Sequence, residues 1–132
     1  MPKRVQMKSE QGQTMTEFAL VAPIFVVLLF GIIQFGIIFN HYVTLTDAAR
    51  AASRKGAVSR QASDPKGECE AAGYAAGGNL KNPTKDFVVS CSSSWAPGSE
   101  LTVTATYPYS ISLVGWVVAS GNLNTTMKER VE

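Results

Sequence analysis

FALVAPIFVVLLFGIIQFGIIF, residues 18–39, decides how the chain is built. These 22 residues carry no charge, and Gln34 is the one strongly polar side chain among them. As a helix the stretch measures roughly 33 Å, enough to cross a hydrocarbon core of ~30 Å. A helix buried in a soluble domain would need apolar neighbours on every face, and the rest of this short chain is too small to supply them. A secretory signal would have a shorter apolar run followed by a small-residue cleavage site. The stretch therefore reads as one membrane span. Pro23 removes a backbone hydrogen bond and is expected to bend it, while Gly31 and Gly36 leave shallow notches for close helix contacts.

The composition agrees with a structural rather than a chemical role. Of 132 residues, 45% are hydrophobic and 17% charged, and the net charge is +2. So small an excess argues against a nucleic-acid binder. One histidine and two cysteines leave no metal-ligand set and no nucleophile with a partner, so no metal, no cofactor and no catalytic residue is expected. His41 falls at the exit of the span and reads as an interfacial side chain. The serine run Ser92-Ser93-Ser94 reads as loop.

Charge alone leaves the orientation of the span nearly tied, with Lys3, Arg4 and Lys8 before it and Arg50, Arg54 and Lys55 after it. Cysteine usage breaks the tie. Cys69 and Cys91 are placed to form a bridge if the C-terminal part lies in an oxidising compartment, the alternative being two buried thiols. The N-terminus is accordingly expected to be cytoplasmic.

Beyond the span the helical pattern continues through HYVTLTDAARAASRKGA. Tyr42, Leu45, Ala49, Ala52 and Gly56 form a stripe, and Ala48, Ala52 and Gly56 form a ladder of small residues that admits a second helix. Core packing under the chain's own domain and contact with another subunit explain these rows equally well. The helix is expected over about 14–57. Arg50 and Arg54, one turn apart, are either solvated or available to lipid head groups or acidic groups of another subunit. Asp64-Pro65 opens a second helix that Gly77-Gly78 ends, and Asn82-Pro83 marks a turn. Strands are expected over 87–91, 101–107 and 123–131. The fold class is α+β: a long membrane-spanning N-terminal helix that continues into a small domain with a short helix and a three-stranded antiparallel sheet. One segment fits that plan poorly. Residues 107–119, YPYSISLVGWVVA, are strongly apolar for a connection between strands. Covering the sheet, dipping against the membrane and forming a subunit interface anchored by Trp116 are all open to it, cover being the first expectation.

Ahead of the span stands Gly12-Gln13-Thr14-Met15-Thr16-Glu17-Phe18. Thr14-x-x-Glu17 has the form of a capping box, with glutamate at the positive end of a helix dipole. A basic leader, a glycine and a glutamate five residues later also resemble the processing site of type IV pilin-like proteins. That resemblance implies cleavage after Gly12 by a prepilin peptidase, with Gln13 as the new N-terminus. Glu17, at the edge of hydrocarbon, would then pair with the new ammonium in its own or a neighbouring chain and fix an axial register.

The likeness extends further. GQTMTEFALVAPIFVVLLFGIIQFG, DAARAASRKGA, LTVTATYPYSI and NTTMKERVE resemble the TadE/TadG-like minor pilins, or pseudopilins, of the tight adherence (Tad, or Flp) pilus systems. The resemblance implies a pilin-like, non-enzymatic subunit with three parts: a cytoplasmic leader at 1–12, a long helix at 13–58, and an extracytoplasmic domain at 59–132. Its partners would be the prepilin peptidase, other pilin and minor pilin subunits, the Tad assembly platform and membrane lipid. It would reside in the bacterial inner membrane and pass into a cell-surface pilus, in initiation, assembly or tip formation and thereby adherence. Gln13 departs from the usual first residue of mature type IV pilins. The rival readings are an uncleaved bitopic anchor carrying an extracytoplasmic binding or sensor domain, and a pseudopilin of a secretion machine.

Overall fold

A computed structural model describes residues 8–80, 86–113 and 115–132. The expected turn at Asn82-Pro83 and the first basic residues of the leader lie outside them. Helix α1 runs from Lys8 to Val58 without interruption, through Pro23. Helix α2 spans Pro65–Ala76 and is followed by a 3-10 turn at Gly78–Leu80. Strands β1 (Val88–Ser92), β2 (Glu100–Leu113) and β3 (Trp116–Arg130) form one antiparallel sheet in the order β1-β2-β3. The α+β class expected from the sequence is the one observed. The chain divides into two units, Met1–Phe35 and Gly36–Glu132, and α1 contributes to both.

In the first unit the described residues form helix alone. No side chain from Phe18 to Phe39 is buried. An 18-residue window of α1 reaches a mean hydropathy of 2.6 with none of it covered by the rest of the chain. A large apolar surface on every side of a helix is stable in lipid and not in water.

The second unit has a core of small side chains on its helices and larger ones on its sheet. Leu45, Ala48, Ala49 and Ala52 of α1 are fully buried against Leu80, Val89, Leu101, Val103, Ala105 and Tyr107. A Cβ on Gly73 of α2 would stand 3.1 Å from Cβ of Ala52, and one on Gly77 would stand 3.3 Å from Cβ of Ala48. A Cβ on Gly56 would lie 2.6 Å from Cδ2 of Leu101. The small-residue ladder is therefore filled from within the chain: the helix it admits is α2, with β2 beside it. Of the longer stripe only Tyr42 is exposed.

Asp64 caps α2, its Oδ1 accepting from the Gly67 N–H at 3.0 Å, and the Gly77 N–H closes the other end on the Gly73 carbonyl at 2.9 Å. The disulfide Cys69–Cys91 joins α2 to β1. Two further bonds seal the outer edge of that strand. The Val89 N–H donates to the Tyr74 hydroxyl at 3.2 Å, and the Cys91 N–H donates to the Glu70 carboxylate at 3.3 Å. An edge satisfied in this way offers less of a template to another chain.

Strand β2 alternates buried and half-buried residues from Leu101 through Tyr107, which is the period of a strand with one face in a core. Beyond Tyr107 the alternation stops, although the strand continues to Leu113 and pairs with β3 down to Leu113↔Trp116. Residues 107–119 therefore do not cover the sheet. They form the outer half of a β2–β3 hairpin whose Trp116, Val117 and Val118 are 82%, 65% and 63% exposed. The sequence reading cut both strands short because it took this half for a connection. At the other end of the hairpin Lys128 donates to Glu100 at 2.8 Å. That bond, and then the lysine's charge, hold the Glu100 carboxyl below the usual carboxylate range. The Glu132 N–H reaches the Ala57 carbonyl at 3.0 Å, which satisfies one of the open acceptors at the end of α1.

The packing makes Gly73 a sensitive position, since a Cβ there would also stand 2.7 Å from Cγ1 of Val89. Gly73→Val is expected to cost about 1–3 kcal/mol by overpacking. Gly78→Ala, where nothing lies within 4 Å of the added carbon, should leave stability nearly unchanged. Thermal melts of the detergent-solubilised chain followed by circular dichroism check both.

Candidate processing and assembly site

Gly12 lies inside α1, one turn past its start at Lys8. A glycine in a helix interior costs about 1 kcal/mol relative to alanine. Here nothing lies within 4 Å of the carbon an alanine would add. Neither packing nor backbone conformation within the chain accounts for a glycine at this position.

One turn on, the Gln13 amide Nε2 donates to Glu17 Oε1 at 3.1 Å, and the Thr16 hydroxyl donates to the Gly12 carbonyl at 2.9 Å. Gln13 and Glu17 thus share a helix face, as their spacing of four requires. Both are exposed. The capping-box reading of Thr14 and Glu17 fails in the intact chain. The helix begins six residues before Thr14, so the backbone N–H groups that such a box would satisfy are already inside the helix. The sequence placed the helix start at the polar-to-apolar change, whereas the backbone continues through the polar residues.

Further along α1, Arg50 and Arg54 are both exposed. Arg50 Nη1 stands 3.6 Å from Asp47 Oδ1, an i,i+3 ion pair on the surface of small energetic weight. Phe39, Tyr42, Val43, Thr46, Asp47 and Arg50 line a shallow depression of about 200 Å³. Arg50 is thus brought to an apolar-edged groove, and Arg54 is not among its lining residues. His41 meets Tyr107 edge to face, with ring centroids 5.1 Å apart. Trp116 lies at the far end of the hairpin, in neither group. Cys69 and Cys91 form a single bridge. Among the described residues no group of three or more histidines, cysteines or acidic side chains is placed to hold a metal ion.

Among the described residues one helix is long and apolar enough to cross a membrane, and it is followed by a small disulfide-bonded α+β domain. That helix, α1, carries a TadE-like segment. The family model described as TadE-like protein matches residues 12–54, about a third of the chain, from the glycine ahead of the span to Arg54. That family points to a Tad pilus-associated protein of the cell envelope, structural rather than enzymatic. No curated protein and no solved structure matches the chain.

Since Glu17 caps nothing in the intact chain, Glu17→Ala is expected to leave the helicity and melting temperature of the uncut protein unchanged within about 0.5 kcal/mol. Circular dichroism in detergent checks this, and a clear loss of helix would restore the capping account.

Proposed function

We propose that this protein is a minor pilin, or pseudopilin, of a Tad pilus, cut between Gly12 and Gln13 by a prepilin peptidase. The observation that carries the reading is the TadE-like match, which begins at Gly12 and takes in Gln13, Glu17 and the whole apolar run. Gly12 supports it further, being a helix-interior glycine that the packing around it does not require.

Hydrolysis of that bond would change the chemistry of the helix start. Water adds across the peptide bond, leaving a carboxylate on Gly12 and an ammonium on Gln13. The helix would then begin at Gln13, and Glu17 would fall in the first turn, where a negative charge is favoured. The Gln13 amide already meets the Glu17 carboxylate, so the new charge would arise on the residue that Glu17 faces. Within one chain the two would form a local ion pair. Between stacked subunits the same pairing would set the axial register, because a carboxylate at the hydrocarbon edge is costly when it has no cation. The anchor would face its N-terminus to the cytoplasm, with the disulfide-bonded domain on the other side. The subunit would act in pilus initiation, assembly or tip formation, and through the pilus in surface adherence.

An uncleaved bitopic anchor is the second reading. It is favoured by the continuity of α1 through Gly12, since a peptidase must first unwind that turn to reach the bond. Intact mass of the membrane-extracted protein, made with and without its prepilin peptidase, separates the two. Loss of residues 1–12 only when the peptidase is present is the expected result. Gly12→Leu should abolish it, and an uncut wild-type chain under both conditions would leave only the anchor. Glu17→Gln keeps the side-chain shape and removes the charge, so it should be cleaved normally yet recovered in sheared pili at a lower level. Equal recovery would remove the register role.

A further inference from the structure

The sheet has three stretches of outer edge, and the chain closes two of them with its own residues. On β1 the N–H groups of Val89 and Cys91 point away from the sheet, since they donate to the Tyr74 hydroxyl and the Glu70 carboxylate. Val88, Ser90 and Ser92 therefore turn their backbone groups inward, to Thr106, Thr104 and Thr102 on β2. Strand β2 keeps that phase. Its even-numbered residues face β1 and its odd-numbered residues face β3, up to the register shift after Ile111. Beyond Thr106 β1 has ended, and the first residue on the uncovered side of β2 is Pro108, which has no N–H to offer. A proline on an edge is one of the means by which a sheet turns away a further strand.

The third edge has no such closure. The phase runs on into β3, where Leu123, Thr125 and Met127 turn to Tyr107, Ala105 and Val103. Ser120, Asn122, Asn124, Thr126 and Lys128 therefore turn their backbone N–H and C=O groups outward. Among the described residues nothing meets them, because β3 is the last strand of the sheet and no side-chain or loop hydrogen bond reaches its outer side. From Leu101 to Met127 no residue is charged. The usual deterrents stand only at the ends of β3, a register irregularity near Val118 at one and Lys128-Glu129-Arg130 at the other. Between them, residues 119–127 are an unbroken strand edge whose two faces differ. Asn122, Asn124 and Thr126 are exposed on one face. On the other, Leu123 and Met127 are half-buried against the core and Thr125 is buried.

We propose that the outer edge of β3 is a strand-accepting site whose occupant is an extended segment of another polypeptide chain. A row of main-chain donors and acceptors at strand spacing is matched in register by another main chain. The composition of the segment follows from the two faces. Small polar side chains pair best beside Asn122, Asn124 and Thr126, and apolar ones beside Leu123 and Met127 extend the core layer. The segment is therefore uncharged and alternates apolar with small polar residues. Closure of the other two edges leaves one place at which such a strand can add. The proposal rests on the sheet alone, so cleavage at Gly12, the pilus and the membrane span can each fail without touching it.

Residues 119–127 themselves meet that description, so a synthetic peptide of residues 119–130, ASGNLNTTMKER, serves as the probe, its last residues keeping it soluble. Amide hydrogen exchange of the full, disulfide-bonded chain in detergent micelles is followed residue by residue, with and without the peptide. Without it, the amides of Asn122, Asn124 and Thr126 are expected to exchange freely, while those of Leu123, Thr125 and Met127 are protected by β2. With it, the first set should slow by about tenfold or more and the second should not change. Asn124→Pro removes an outward N–H and no bond to β2, so it should fold with a nearly unchanged melting temperature and lose the effect. Asn124→Lys, which only places a charge on the edge, should weaken the effect and replaces the proline variant if that fails to fold. No slowing at millimolar peptide would overturn the proposal. Equal slowing of both sets would report binding elsewhere and would overturn it as well. Protection of the outward amides without peptide, rising with protein concentration, would overturn the choice of occupant in favour of a second copy.

Discussion

Ala48, Ala52 and Gly56 set the distance at which the rest of the second unit packs. A helix that presents a methyl, a methyl and a hydrogen at successive turns lets a neighbour's backbone approach to near contact. Helix α2 answers with Gly73 and Gly77, while Leu101 of β2 closes on Gly56. Larger side chains come mostly from the sheet, with Leu101, Val103 and Tyr107 on one strand face, joined by Leu45 of α1 and Leu80 of the 3-10 turn. The arrangement is thin, and its cross-links follow from that. The bridge from Cys69 to Cys91 and the bonds from Tyr74 and Glu70 to the edge of β1 tie α2 to the sheet. Closing the loop between the two cysteines restricts the unfolded chain by an amount worth about 3 kcal/mol in the chain-entropy account.

Most of this organisation is legible in the sequence because it rests on periodicity and punctuation. The apolar run at 18–39 is legible as a helix long and apolar enough to cross a membrane. Pro65 and Gly77-Gly78 bracket α2 within two residues of its observed limits. The alternation over 101–107 marks the half of β2 that has a core face, and only that half. What the sequence misplaces has a common physical cause. Alternation signals a difference between two faces; Tyr109, Ile111 and Leu113 still alternate with Ser110 and Ser112, but Trp116 to Ala119 is uniformly apolar, and the segment as a whole reads as a connection. The start of α1 is hidden for a related reason: polar residues from Lys8 onward have adequate helix propensity but no apolar stripe to announce it. The small-residue ladder was ambiguous because helix–helix proximity has one signature, whichever chain supplies the second helix.

For the candidate site the sequence supplies residue types and the structure supplies their faces. Glu17 was equally a cap and a carboxylate awaiting a cation. The observed helix start removes the first role in the intact chain and sets Gln13 beside the carboxylate. A helix trimmed back to Gln13 would restore both roles to one residue, since the first turn and the new ammonium would then coincide at the same face. The proposed processing thus creates a charge partner at the hydrocarbon edge without any rearrangement of side chains, and its driving force grows as the surroundings become less polar.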